Sequence, residues 1–132
     1  MTAPRVLIID DDKAIVTLMT ALLRKEGFQV LAAFDAASGL MAAQKQRPDL
    51  ILLDLQMPAG GGAVVWQRIA GSANLQGTPV VFVTATNVPG FAREKESEGA
   101  AGVILKPFDP ETFADLVKSF FKRSTGQFGT QE

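Results

Sequence analysis

The sequence predicts an α/β fold in which a parallel five-stranded sheet is covered by helices on both faces. Short apolar runs alternate with stretches of helical periodicity, and the runs consist largely of Val, Ile, Leu and Phe, as buried parallel strands do. Two of these runs end directly in aspartates, which a parallel sheet would place at one edge. A length of 132 residues suits a single domain of this kind.

The five predicted strands cover residues 5–10, 28–33, 49–54, 79–84 and 101–105. Because βα crossovers are right-handed, few strand orders are available, and the flavodoxin-like order 2-1-3-4-5 fits best. In that order the first and third strands are neighbours. The residues that follow these two strands should therefore meet, although more than forty residues separate them in the sequence.

Amphipathic periodicity predicts the first and last helices most clearly. The first helix starts after the cap Asp12, ends near Gly27 and buries one apolar face, made of Ile15, Leu18, Met19, Leu22 and Leu23. The last helix follows the cap Asp109 and the first-turn residue Pro110, and its buried face is made of Phe113, Leu116, Val117, Phe120 and Phe121.

The helices between them are predicted with less regular patterns. The second covers residues 36–46 with Ala37, Leu40 and Met41 on one face, and the third covers about 62–70. Residues 87–98 contain Pro-Gly and a charged run, which predicts a short, loosely held fourth helix.

Two further stretches lack a regular pattern. Gly60, Gly61 and Gly62 are expected to give the segment after Asp54 extra freedom. The domain is expected to span residues 4–122, and residues 123–132 are expected to form a disordered tail or the start of a linker.

Composition excludes several classes of function. The 13 basic and 14 acidic residues nearly balance, so direct binding to nucleic acid is not expected. The sequence has no cysteine and no histidine, which rules out disulfides, thiol catalysis and imidazole or thiolate metal sites. The longest apolar runs have the length of a strand, and the first residues lack the features of a secretion signal. We therefore expect a cytoplasmic protein without membrane insertion.

The aspartates at the strand ends predict a metal site. Asp10 and Asp11 follow the first strand, and Asp54 follows the third. Crowded carboxylates at a partly buried edge either raise a pKa or bind a cation, and a cation fits better. Because every available ligand is a hard oxygen, Mg²⁺ or Mn²⁺ is favoured, and Ca²⁺ less so.

A hydroxyl and an ammonium are expected at the same edge. Thr84 ends the fourth strand and Lys106 follows the fifth, so both can hold a phosphoryl group through hydrogen bonds. Asp54 would then be the nucleophile. Since its carboxylate is already ionised, it needs no general base, and the product would be an aspartyl phosphate.

Four motifs in this order resemble the receiver domain of two-component response regulators. They are residues 6–12 (VLIIDDD), 47–58 (RPDLILLDLQMP), 83–85 (VTA) and 105–109 (LKPFD). The resemblance implies that Asp54 accepts the phosphoryl group. It also implies that Asp11, Asp54 and the backbone carbonyl of Gln56 bind Mg²⁺, with Asp10 acting mainly through water.

The same resemblance implies the roles of the remaining site residues. Thr84, Ala85 and Lys106 would bind the phosphoryl group and sense it, and the Lys106-Pro107 bond would be cis. The switch position that commonly carries an aromatic residue is Val103, which cannot swing in the same way. The side chains of Gln56 and Thr86 would lie where they could gate the hydrolytic water.

By this resemblance the protein is a signalling module and not an enzyme in the usual sense. A histidine kinase or a histidine phosphotransfer protein would donate to Asp54, and phosphorylation would reshape the face made by the fourth helix, the fifth strand and the fifth helix. The output protein is unknown, and a homodimer is possible. A single-domain response regulator is expected first, and a receiver from a larger regulator or hybrid kinase is the close alternative.

An alternative from another class is a small phosphatase of the haloacid dehalogenase type. Asp10 and Asp12 fit its Asp-x-Asp pattern after the first strand, and Asp10 would then be the nucleophile. Ala14 stands where that pattern has Thr or Val, and the chain has no room for a cap domain. Both departures disfavour the phosphatase.

Overall fold

In a computed structural model of the protein, which describes residues 3–125, a five-stranded parallel sheet forms the centre of the fold. The strand order is β2-β1-β3-β4-β5, which confirms the predicted topology. Each strand lies within one residue of its predicted bounds: β1 is Arg5–Ile9, β2 Gln29–Ala33, β3 Leu50–Leu53, β4 Val80–Thr84 and β5 Gly102–Leu105.

Five helices connect or follow the strands. They are α1 Lys13–Lys25, α2 Ala36–Gln46, α3 Gly61–Ala70, α4 Phe91–Ser97 and α5 Pro110–Thr125. The predicted caps are in place, because the Asp12 carboxylate accepts hydrogen bonds from the amides of Ala14 and Ile15. The Asp109 carboxylate likewise accepts one from the amide of Glu111 at 2.9 Å.

The core lies on both faces of the sheet, since successive side chains of a strand point to opposite sides. Val6 and Ile8 of β1 pack with α1 and α5 on one face, and Leu7 and Ile9 pack with α2 and α3 on the other. The strands β3 and β4 are buried throughout, and β1 is buried from Val6 onward, so these central strands have no exposed side on which to carry polar residues. In them, polar side chains are therefore confined to the strand ends.

Three predicted helix faces need correction. In α1, Leu18 is exposed and Val16 is buried instead. In α5, Leu116 is exposed, while the other predicted core residues of that helix are buried. In α2, Met41 is 59% exposed.

The α2 face is wrong for a clear physical reason. Ala37 is also exposed, and the buried residues of α2 are Gly39 and Ala43. A Cβ at Gly39 would lie 2.6 Å from Ile9 Cγ2, so α2 approaches β1 too closely for a large side chain at the contact. The larger apolar residues of α2 lie beside the contact, and only Leu40 is partly buried.

Two observations concern the less regular segments. Helix α4 has seven residues and none of them is buried, which confirms the prediction of a short fourth helix. Helix α5 continues to Thr125, so the first residues of the predicted tail are helical, and residues 126–132 lie outside the described part of the chain. None of the helices within residues 3–125 is long and apolar enough to cross a membrane.

Candidate functional site

The site is formed by the residues that directly follow β1 and β3. These strands are adjacent, with Ile9 paired to Leu53, and the amide of Asp54 donates to the carbonyl of Ile9 at 3.0 Å. Backbone pairing thus holds Asp10 and Asp54 side by side. The predicted meeting of distant aspartates follows from this register.

The three predicted aspartates form one cluster. Asp10 and Asp54 are buried, with 1% and 6% of their surface exposed, while Asp11 is exposed. One carboxylate oxygen from each residue lies within 4.8 Å of the other two. Three hard oxygen donors at this spacing, open to solvent on the Asp11 side, fit the preferences of Mg²⁺.

Lys106 compensates part of the negative charge of the three aspartates. It follows β5, and its Nζ lies 2.7 Å from Oδ2 of Asp10 and 3.1 Å from Oδ2 of Asp54. The amide of Lys106 donates to the carbonyl of Thr84 at 2.9 Å, which fixes the lysine backbone against the end of β4. The Lys106-Pro107 peptide bond is cis.

The electrostatics of this pair follow from its burial. Burial raises the pKa of the Asp10 carboxyl above its ordinary 3.8 and outweighs the hydrogen bonds from Lys106 and the Asp12 amide, which lower it. Burial alone would lower the pKa of the Lys106 ammonium, but its hydrogen bonds with Asp10 and Asp54 and their charges outweigh burial and raise it above 10.5. Lys106 is therefore a cation at any physiological pH.

The carboxylate of Asp54 is held at both oxygens. Oδ2 accepts from Lys106, and Oδ1 accepts from the amide of Gln56 at 2.9 Å. These two bonds fix the plane of the carboxylate. The Gln56 side chain is exposed, and the role of its backbone carbonyl as a metal ligand stays a prediction.

The hydroxyl group of Thr84 lies at the end of β4, as predicted, and contacts the side chain of Thr86. Thr84 is fully buried, and its Oγ1 lies 3.3 Å from Oγ1 of Thr86 and accepts from the amide of Thr86 at 3.4 Å. Ala85 between them is exposed. The predicted switch position Val103 is half-buried on β5.

Gly62 is a site residue whose role the sequence reasoning missed. It lies in the first turn of α3 and is buried, and a Cβ there would meet the carbonyl oxygen of Asp54 and lie 2.5 Å from Leu55 Cα. The close approach of α3 to the segment after β3 thus requires glycine. The freedom expected of the three glycines is wrong for Gly61 and Gly62, and only Gly60 has a positive φ, of 69°.

Comparison with known proteins agrees with this geometry. The chain matches the response regulator receiver domain over residues 6–118 and belongs to that family. The family assignment gives no support to the haloacid dehalogenase alternative. The structure also disfavours it, because Asp12, the second aspartate of that pattern, caps α1.

The relatives include proteins of two lengths. The DNA-binding dual master transcriptional regulator RpaA of Synechocystis is 36% identical over 92% of this chain and 50% of its own length. Protein PilH of Pseudomonas aeruginosa is 30% identical over 87% of this chain and 95% of its own length. The chain thus spans about half the length of the DNA-binding relatives it matches.

Solved structures show the same fold. The chemotaxis response regulator CheY4 of Vibrio cholerae has a TM-score of 0.82 and 30% identity, covering 90% of this chain and 99% of its own. The receiver domain of the sensor histidine kinase PA1611 of Pseudomonas aeruginosa, which has a magnesium ion in its active site cleft, has a TM-score of 0.78 and 25% identity, covering 95% and 99%.

Proposed function

We propose that this receiver domain accepts a phosphoryl group on Asp54 from the phosphohistidine of a histidine kinase or phosphotransfer protein, with Mg²⁺ as its cofactor. The observation that carries the proposal is the position of Lys106 Nζ between Oδ2 of Asp10 and Oδ2 of Asp54. A lysine placed on the nucleophile itself can also pair with an oxygen of the incoming group. Phosphorylation would then switch a partner-binding surface of a cytoplasmic signalling protein.

The chemistry needs only groups that the site contains, besides the metal. An oxygen of the ionised Asp54 carboxylate attacks phosphorus, a P–O bond forms, and the P–N bond to the imidazole breaks, with its electron pair leaving on the nitrogen. Lys106 stays charged and can shift one hydrogen bond to a phosphoryl oxygen. Asp10, Asp11 and Asp54 would hold Mg²⁺, which when bound neutralises charge on the transferring group.

The test is phosphorylation by a small donor. We expect that acetyl phosphate with Mg²⁺ labels the wild-type protein and that the labelled peptide contains Asp54. The Asp54→Asn variant should lose the label, because an amide oxygen is a poor nucleophile. Asp49→Asn is the matched control, since Asp49 lies at the opposite edge of the sheet and its Oδ2 accepts from the amide of Arg5.

Two outcomes would contradict the proposal. One is undiminished labelling of the Asp54→Asn protein, and the other is label on Asp10. Circular dichroism of the variant should match that of the wild type, so that loss of label reports lost chemistry and not lost fold.

The number of domains in the working protein is a separate question. The relative PilH is nearly as long as this chain, whereas the DNA-binding relatives carry about as many residues again. On the likeness to PilH we propose the single-domain form. The nearly balanced charge of this domain does not favour direct binding to nucleic acid, so we propose that the domain acts through a protein partner. A reading frame that continues into a second domain would refute the single-domain form.

A further inference from the structure

The hydroxyl groups of Thr84 and Thr86 form a contact that the proposed phosphorylation must disturb. We propose that Thr86 is a positioning residue that holds the Thr84 hydroxyl in the unphosphorylated protein. When Thr84 turns to the phosphoryl group, the Thr86 side chain is freed to rotate and changes the shape of the open cavity between the β4–α4 loop, α4 and β5. This inference rests on the proposed function. It makes Thr86 the residue through which phosphorylation of Asp54 changes the wall of this cavity.

The first step of the argument is hydrogen-bond stoichiometry. A threonine hydroxyl has a single proton to donate. With Thr84 as the donor in its contact with Thr86, the same hydroxyl cannot also donate to a phosphoryl oxygen on Asp54. Either hydroxyl can be the donor in the contact. Where Thr84 is the donor, capture of the phosphoryl group by Thr84 breaks its bond to Thr86 and leaves only Thr86 able to donate afterwards.

The second step is the relative strength of the two bonds. The contacts of Thr84 with Thr86, at 3.3 Å between hydroxyls and 3.4 Å from the amide, are longer than strong hydrogen bonds of these types. A bond to a charged phosphoryl oxygen is roughly twice as strong as one between neutral groups. The exchange is therefore favourable once the phosphoryl group is present.

The third step is the position of Thr86. Thr84 is buried, but Thr86 is half-buried and lines a cavity of about 590 Å³ together with Val88, Phe91, Val103 and Leu105. No residue of α4 is buried, so this helix does not fill the space beside β5. A rotation of the Thr86 side chain would change the wall of this cavity directly.

The fourth step is the residue at position 103. Val103 is short and β-branched, so its rotamers move little volume compared with an aromatic ring. When Thr84 leaves Thr86, there is thus no aromatic ring at position 103 that could change its rotamer in response. Thr86 is the side chain that contacts Thr84 and also faces the cavity, so the coupling runs through it.

The experiment uses methyl NMR of the full chain, with Val88 and Val103 as reporters in the cavity wall. The two reference spectra are those of the wild-type protein without phosphate and after labelling with acetyl phosphate and Mg²⁺. The variants are Thr86→Val, which keeps the shape and removes the hydroxyl, and Thr86→Ser, which keeps the hydroxyl. Thr78→Val is the control, since Thr78 is half-buried near the opposite edge of the sheet.

We expect the unphosphorylated Thr86→Val protein to shift both reporters along the line from the unlabelled to the labelled wild-type positions. A neutral hydrogen bond of ordinary strength corresponds to about a fivefold change in an equilibrium constant, and this contact is a long one, so about fivefold is the upper limit. Thr86→Ser and Thr78→Val should stay near the unlabelled wild type. In a Thr84→Val background, Thr86→Val should cause no further shift along this line.

Three results would overturn the inference: reporters that do not move in Thr86→Val, equal movement in Thr86→Ser, or a shift that persists in the Thr84→Val background. Failure of the proposed function is distinguishable from these. If acetyl phosphate does not label Asp54 in the wild type, the proposed function fails. If Asp54 is labelled and the Thr86→Val reporters do not move, only the role of Thr86 fails.

Discussion

Asp10 shows at the scale of one residue how the site lowers the stability of the fold. Its carboxylate is buried, and burial raises its pKa above the ordinary 3.8. A carboxyl group that holds its proton more tightly in the folded state destabilises that state when it ionises. The stability contributed by Asp10 therefore declines as the pH rises from about 3.8 through the raised pKa.

We predict that Asp10→Asn is more stable than the wild type at pH 7 when Mg²⁺ is chelated. The neutral amide avoids the cost of a buried charge. Its single oxygen keeps one of the two hydrogen bonds that the Asp10 carboxylate accepts, from Lys106 or from the Asp12 amide, and loss of the other reduces the gain. The advantage should shrink as the pH is lowered through the raised pKa of Asp10 toward the ordinary 3.8, because the wild-type carboxyl takes up its proton over this range. Urea unfolding at pH 7 and at a series of lower pH values, with EDTA present, measures the effect.

Asp11→Asn is the matched control for this prediction. Asp11 is exposed, and surface substitutions of this kind change the free energy of unfolding by about 0.5 kcal/mol or less. Lys106 does not make the free energy of unfolding depend on pH in this range. Its pKa is raised in the folded state, so the stability that it contributes is lost only when the pH exceeds 10.5. An Asp10→Asn protein that is less stable than the wild type at pH 7 would contradict the inference that the buried charge of Asp10 destabilises the fold.

Residues at strand ends were predictable because a strand fixes where its last side chain lies. Asp10, Asp54, Thr84 and Lys106 each lie at or directly after the end of a buried strand, and one edge of the sheet collects them. The contact between Thr84 and Thr86 was not predictable. It depends on rotamers and on the path of a loop, and neither leaves a pattern in the sequence.

At the scale of elements, the close packing of α5 on β5 depends on a missing side chain. Gly102 is buried in β5, and a Cβ there would collide with the ring of Phe120, whose Cδ1 would lie 2.5 Å away. Phe120 is itself buried in the core beneath α5. The ring can therefore make room only by displacing its neighbours.

We predict that Gly102→Ala lowers the free energy of unfolding by about 1 to 3 kcal/mol, the usual cost of overpacking a core. Gly71→Ala is the matched control. Its Cβ would lie 3.5 Å from the Gln67 carbonyl oxygen, an ordinary contact, and its φ of −90° suits alanine. Urea unfolding of both variants gives the comparison, and equal stability of the two would show that α5 adjusts freely.

Helix existence could be predicted from sequence better than helix rotation. Period-3.6 patterns indicate which residues share a face, but a large apolar residue beside the contact and one within it give the same pattern. In α2 the contact is made by Gly39 and Ala43, and Met41 is exposed beside it. A small residue at a tight contact carries no hydropathy signal, which is also why the packing role of Gly62 was missed.

For the whole molecule, the sheet topology joins the site to global stability. Asp10 and Asp11 follow β1, Asp54 follows β3, and Lys106 follows β5. These strands belong to one sheet, so unfolding separates all of the groups that would hold a metal ion. A ligand that binds only the assembled cluster must then stabilise the complete fold.

We predict that Mg²⁺ raises the free energy of unfolding of the wild type by linkage, by about 2.7 kcal/mol at a concentration one hundred times the dissociation constant. Asp54→Asn and Asp11→Asn should lose most of this increment, because each removes a carboxylate from the cluster. Asp109→Asn should keep it, since Asp109 caps α5 and does not belong to the cluster. Thermal unfolding with a Mg²⁺ series and with EDTA provides the measurement. An unchanged midpoint in the wild type, or an equal rise in Asp54→Asn, would show that the cluster does not bind the ion, because only a ligand of the folded state can shift the unfolding equilibrium in this direction.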